Sequence, residues 1–214
     1  IMRRIAITTG ISLLIMAIVG GFSFGYVYPE FNQIDQSEFT YDNMLNNKEL
    51  YKNMLLGILI ILILDLLVSY TLFRYFEKDN RRLSLVSAII RIIYTIIFAI
   101  ATLYLVRNLT DFEVTNQSIV ANFQNFEFAW NVGLMIFGLH IILIGFLMKL
   151  HNRIPKFLYY LTLIGGISYV LVHLLKLNSP SQFVSNLEIA LALPMAFGEI
   201  GLAIWLLVKG GKDI

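Results

Sequence analysis

Five ionisable side chains interrupt the apolar runs of this chain: Asp65, Arg91, His140, His173 and Glu199. The stretch IFGLHIILIGFLMK, residues 136–149, shows the problem they pose, because an imidazole in lipid must find a partner or cost several kcal/mol. Two carboxylates, a guanidinium and imidazoles admit three kinds of chemistry. They can hold a small polar ligand or ion while a proton is exchanged, ligate a metal, or lock helices together as ion pairs. The choice depends on how the surrounding elements position them.

Those elements are membrane helices. Of the 214 residues 58% are hydrophobic and 14% charged, against about 25% charged in ordinary soluble domains. Runs long enough to cross about 30 Å of hydrocarbon lie at 5–28, 53–76, 84–106, 127–150, 155–177 and 187–208. The expected fold is therefore all-α, a single six-transmembrane-helix bundle over 1–214. The apolar run from Ile5 to Val27 is too long for a secretory signal and is expected to stay as the first span. Sorting the 16 Lys and Arg by side puts eleven on one side, four on the other and Arg91 within a span. The positive-inside rule then places both termini in the cytosol.

Two outer segments have content of their own. Residues 29–52 are acidic with Phe31, Phe39 and Tyr41, and suit either a cap over the bundle or a solvated connector. Residues 107–126 form the second outer loop, where Ile119, Val120, Phe123 and Phe126 recur at helical spacing, as in a short helix lying in the membrane interface. Asn108 and Asn116 match the glycosylation pattern on that side. The absence of cysteine excludes disulfides and thiolate chemistry, and the small net charge of +2, with no basic face, argues against nucleic acid.

Counted back from the cytosolic ends, Asp65, Arg91, His140 and Glu199 all lie roughly 12 to 15 Å deep on four different helices. His173 sits near the outer end. Each buried ionisable group costs about 2.5 kcal/mol or more at mid-membrane, so convergence in the bundle interior is expected. Ser69 follows Asp65 by four residues, while Ser87, Tyr94 and Thr95 share a helical face with Arg91. Gly133, seven residues before His140, allows close approach of a neighbour. Two carboxylates against one guanidinium leave one negative charge, to be met by a proton, a protonated His140 or a bound cation. Pro194 and Gly198 before Glu199 suggest a kinked helix at the site.

Three segments, IFGLHIILIGFLM, RIPKFLYYLTLIGGISYVL and AFGEIGLAIWLLVKG, resemble the bacterial multi-pass membrane family known as domain of unknown function 4386. The likeness lies in a G-L-H segment, an R-x-P turn before a G-x-x-Y helix, and a G-E-x-x-x-x-x-W-L-L-x-K-G ending. It covers the whole chain and carries onto Asp65, Arg91, Gly138, His140, Pro155, Tyr169, Gly198, Glu199 and Trp205. It implies a bacterial cytoplasmic-membrane protein of six helices and supplies no activity. His173 departs from the family pattern.

Three functions follow from these residues. In the first, Asp65, Arg91, His140 and Glu199, with Ser69, Tyr94 and Thr95, bind a small polar ligand or ion in proton-linked transport; Arg91 grips an anionic group, Glu199 or His140 carries the proton, and a homodimer completes a small carrier. In the second, Asp65, His140 and Glu199 hold a divalent metal that activates water for hydrolysis, although H-E-x-x-H and related motifs are absent. In the third, the charges form a structural clasp, Asp65 with Arg91 and His140 with Glu199, in a structural or regulatory subunit of the bilayer. Trp130 and Trp205 are expected as interface anchors, Gly21 and Gly25 as helix-packing positions, and His151 as solvated.

Overall fold

Asn80 turns the chain back on itself. Its backbone is extended (φ −159°, ψ 101°) and its side-chain Oδ1 accepts from the Leu83 N–H at 3.0 Å, the geometry of a helix N-cap. The residues on either side are helical from Lys48 to Thr110. The two arms, 48–79 and 81–110, pack against each other: the Ser84 hydroxyl donates to the Phe73 carbonyl and the Ser69 hydroxyl to the Ala88 carbonyl, both at 3.0 Å.

The computed structural model describes residues 1–32, 43–44, 46–110 and 115–212, and these are helical with short turns. Helix α1 (Met2–Gly20) passes through a π-helical stretch, Gly21–Val27, into the single turn α2 (Tyr28–Phe31). The doubled helix α3 (Lys48–Thr110) follows, then α4 (Asn116–Leu150), α5 (Lys156–Asn178) and α6 (Gln182–Val208). Local chemistry sets the boundaries. Thr115 and Ser118 form a reciprocal capping box at the start of α4, and the Ser181 hydroxyl accepts from the Val184 N–H to open α6. Pro155, with no N–H to give, stands immediately before α5.

Two expectations change. Five helices, not six, are long and apolar enough to cross a membrane, because spans two and three run together in α3, whose break at Asn80 is a single residue. The separate interfacial helix expected within 107–126 is instead the first turns of α4. Ile119, Phe123 and Phe126, at 1%, 1% and 0% exposure, pack into the bundle beside Tyr28 and Tyr51 rather than lying on its surface. Within the outer segments 29–52 and 107–126, residues 33–42, 45 and 111–114, and with them Phe39 and Tyr41, lie outside the described residues.

Both chain ends lie at one end of the bundle. The Arg3 guanidinium donates to the carbonyls of Leu206, Leu207 and Gly210 at 3.0, 2.6 and 2.8 Å, neutralising the negative end of α6. The turns at 80 and 151–155 lie nearby: His151 Nδ1 donates to Asp79 at 2.9 Å and Arg153 donates to the Lys212 carbonyl at 2.8 Å. At the opposite end, Tyr51 donates to the Leu105 carbonyl (2.9 Å), Asn108 to Tyr51, and Asn122 to Asn108, a knot joining both arms of α3 to α4. Asn108 is thus buried in that knot and not presented as a glycan acceptor.

Two apolar cores stack along the bundle. One, towards the Tyr51 end, includes Ile61, Tyr94, Phe126, Phe137 and Ile141; the other, towards the termini, includes Val68, Leu72, Ile144, Leu202 and Trp205. Lipid tails match these side chains in polarity, so association rests on close backbone approach. A Cβ added at Gly138 would lie 2.8 Å from the Gly166 carbonyl oxygen, and one at Gly165 would lie 2.6 Å from that of Pro194. Gly21 and Gly25 have nothing within 4 Å of such a Cβ, so they are not packing positions. Trp205 is 8% exposed among Tyr75 and His151, a core residue rather than an interface anchor, and His151 is part of the same group.

Candidate functional site

The seam between the two cores holds a buried Asp–Arg–His cluster. Asp65 comes from the first arm of α3, Arg91 from the second and His140 from α4, at 0%, 0% and 1% exposure. Arg91 donates to Asp65 Oδ1 from Nε at 2.9 Å and from Nη2 at 2.6 Å. Its Nη1 faces His140 Nε2 at 3.1 Å and Glu199 Oε1 at 3.7 Å, and its guanidinium carbon lies 5.3 Å from the centre of the Phe137 ring.

The partners of His140 assign its tautomer. Nδ1 is 2.9 Å from the Ser87 carbonyl, which can only accept, so the proton sits on Nδ1. Nε2 is then a lone pair that accepts from Arg91, and the ring is neutral. The Ser87 hydroxyl, also 2.9 Å from Nδ1, completes the contact. A chain of hydrogen bonds runs from Ser87 through His140 and Arg91 to Asp65, joining α4 to both arms of α3.

This arrangement corrects several expectations. His140 meets Ser87 and Arg91, not Glu199, so the clasp pairing of His140 with Glu199 is replaced by Arg91 facing both carboxylates. Arg91 is spent on protein partners and is not free to grip an anion. The metal set of Asp65, His140 and Glu199 is not formed: among the described residues no group of three His, Asp or Glu side chains is arranged to hold an ion. The guanidinium fills the space between them. Ser69 and Thr95 donate their hydroxyl protons to the carbonyls of Ala88 and Arg91, at 3.0 and 2.8 Å.

A cavity of about 290 Å³ abuts the cluster. Asp65, Glu199, Tyr94 and Tyr169 supply its polar groups, and Phe24, Phe98, Trp130 and Phe137 much of its aromatic wall. Arg91 and His140 lie behind this lining. Glu199, with a side chain 24% exposed, is the least buried of the four ionisable groups. Asp65 Oδ2 is buried without a hydrogen-bond partner, since both Arg91 contacts go to Oδ1. Trp130 stacks on Phe24 with ring centres 4.5 Å apart, which places it in the cavity wall and not among interface anchors.

Helix α6 stays continuous through Pro194, and Gly198 lets α5 approach: a Cβ there would be 3.0 Å from Thr162 Cα. Depth in the spans singles out Asp65, Arg91, His140 and Glu199, and helical spacing from Arg91 singles out Tyr94. Neither identifies Ser87 as the partner of His140, although Ser87 shares the face of Arg91, nor Phe24, Phe137 and Trp130 as wall residues. Tyr169 was carried only by the family likeness. It lies edge-on to Phe137 with ring centres 5.3 Å apart.

An all-helical chain with several apolar helices of membrane-crossing length around a buried ion cluster is a multi-pass membrane protein in class. The chain belongs to the family described as Domain of unknown function (DUF4386), which matches residues 8–210. It is also similar to an uncharacterized protein of the archaeon Archaeoglobus fulgidus, 30% identical over 158 residues, covering 74% of this chain and 84% of that one. The similarity is thus not confined to bacterial proteins. No solved structure matches.

Proposed function

We infer that this protein binds a small polar ligand or ion in the cavity beside Arg91, with Asp65 and Glu199 at its polar end. The observation that carries this is the union of a 290 Å³ aromatic-walled cavity with two carboxylates and a single, already engaged guanidinium. With both carboxylates ionised, one negative charge is unmatched, and a net charge in low dielectric demands a counterion. A cation or a proton supplies it. Glu199, the carboxylate farthest from Arg91 and nearest to open space, alternates between the two, which couples ligand exchange to proton movement in the manner of small carriers.

The clasp is part of the same reading, favoured by the Ser87–His140–Arg91–Asp65 chain. Arg91 and His140 hold the helices, while Asp65 and Glu199 face the cavity. The topology in this reading has six crossings, the arms of α3 each running about 45 Å at 1.5 Å per residue. Both termini lie on the cytosolic side of a bacterial cytoplasmic membrane, and two copies assemble as a homodimer.

Native mass spectrometry of the purified protein beside Glu199→Gln and His140→Ala tests the reading and reports subunit number. The expected result is a small mass retained by the wild type and lost with Glu199→Gln at unchanged folding. His140→Ala, outside the cavity lining, chiefly lowers stability. Were no mass retained and both variants merely easier to unfold, the cluster would be a clasp alone.

A further inference from the structure

A second cavity, of about 220 Å³, lies at the end opposite the termini and shares Trp130 and Leu134 with the first. Its polar groups are Glu127 from α4, Asn131, His173 from α5, and the pair Lys176 and Glu188, which are 2.7 Å apart. Asn131 gives its amide N–H to the Glu127 carbonyl, so its Oδ1 is an acceptor, and His173 Nδ1 donates to it at 2.8 Å. In the neutral ring this leaves His173 Nε2 as a lone pair. That atom is buried without a partner on a residue 3% exposed.

Five buried side-chain atoms lack partners among the described residues, and two belong to residues lining these cavities: Asp65 Oδ2 in the first and His173 Nε2 in the second. Both are acceptors. Each cavity also carries a residual negative charge, the first from two carboxylates against Arg91, which lies behind its wall, the second from Glu127 and Glu188 against Lys176. Unpaired buried acceptors in electronegative cavities, the inner one walled by aromatics, fit a guest that brings N–H donors and positive charge on an apolar body. An anion would meet two carboxylates in each cavity, with only neutral donors such as the Tyr94 and Tyr169 hydroxyls in the inner one and a Lys176 already paired with Glu188 in the outer one.

We propose that the ligand is an organic ammonium ion, entering through the outer cavity, where His173 Nε2 accepts its first hydrogen bond, and passing the Trp130–Leu134 partition to reach Asp65 and Glu199. This rests on the ligand-binding reading above and adds to it the ligand class and the route. Phe24, Phe98 and Trp130 then face the apolar body, and the ammonium group completes Asp65 Oδ2.

Three probes of one shape separate the possibilities: 2-phenylethylammonium, 2-phenylethanol and 3-phenylpropionate, added to the full chain in lipid nanodiscs. Calorimetry reads affinity, and stopped-flow intrinsic fluorescence, to which Trp130 contributes, reads rate. The expected result is saturable binding of the ammonium alone. Glu199→Gln should weaken it about 30-fold or more, and His173→Phe should slow association on the order of tenfold with a smaller change in final affinity. Equal binding of the alcohol or preference for the carboxylate overturns the ligand class while leaving the cavity a binding site. Ammonium binding with an association rate untouched by His173→Phe overturns the route. No binding of any probe removes the proposal, and if native mass spectrometry also finds no retained mass, the ligand-binding reading with it.

Discussion

Replacing Arg91 by methionine keeps an unbranched side chain of similar reach and removes the guanidinium. Asp65 then loses both hydrogen bonds, at 2.9 and 2.6 Å, and His140 Nε2 loses its donor at 3.1 Å, in a site where Asp65 and Arg91 are 0% exposed. Breaking a buried pair by removing one partner costs about 3–5 kcal/mol, because the stranded charge keeps its desolvation penalty. Asp65→Asn alone is milder, about 1–3 kcal/mol, since Arg91 still has Glu199 at 3.7 Å. In the double variant the stranded Asp65 carboxylate is gone, while His140 Nε2 and Glu199 still lack Arg91, so a loss of about 1–2 kcal/mol from the wild type is expected. The coupling in the double-mutant cycle is thus about 2 kcal/mol or more. Unfolding by titration of sodium dodecyl sulfate into mixed micelles, followed by circular dichroism, measures all four proteins. If the two substitutions add to within about 0.5 kcal/mol, the pair is not the energetic unit that the geometry implies.

Gly138→Ala forces a Cβ to 2.8 Å from the Gly166 carbonyl oxygen and should cost about 1–3 kcal/mol in the same titration. Gly25→Ala, with open space around it, should cost nothing measurable. Asn108→Ala leaves Tyr51 and Asn122 without their shared partner, and a loss of about 1–3 kcal/mol is expected. Arg3→Ala removes three contacts to the end of α6, and hydrogen exchange at 206–210 should rise while that of α4 stays unchanged. The chain has no cysteine, so single Asn80→Cys, Lys212→Cys and Asn178→Cys variants report topology directly; the first two should label from one side of sealed vesicles and the third from the other.

The charged layer was legible because depth is a one-dimensional count, and α-helical rise converts position in a span into height. Asp65, Arg91, His140 and Glu199 could be placed at one level that way. Which of them touch is a question of azimuth and reach. Arg91, the longest of the four side chains, extends to both carboxylates and to His140, so of the two pairs drawn from charge, Asp65 with Arg91 forms and His140 with Glu199 does not. Trp205 shows a related limit: a tryptophan near the end of a span reads as an anchor until the turns at 80 and 151–155 are seen folding Tyr75 and His151 over it. A break between the second and third spans is expected in the charged stretch 77–83, and only its sharpness is hidden, since a single extended residue, Asn80, needs no proline or glycine. The cavities come from how far the helices stand apart, which depends on glycine contacts between α4, α5 and α6 that no periodicity encodes.

The π-helical stretch Gly21–Val27 holds Phe24, whose ring lies against Trp130 in the cavity wall. A π turn accommodates a residue that an α turn does not, so α1 carries one residue of slack at the height of the cavity. Loss of a residue here opens no loop: the turn tightens, and Met2–Gly20 rotates by about 100° against Tyr28–Phe31. Length variation in this segment is therefore heard as rotation, presenting the cavity with a different wall residue while the bundle's connectivity stays as it was.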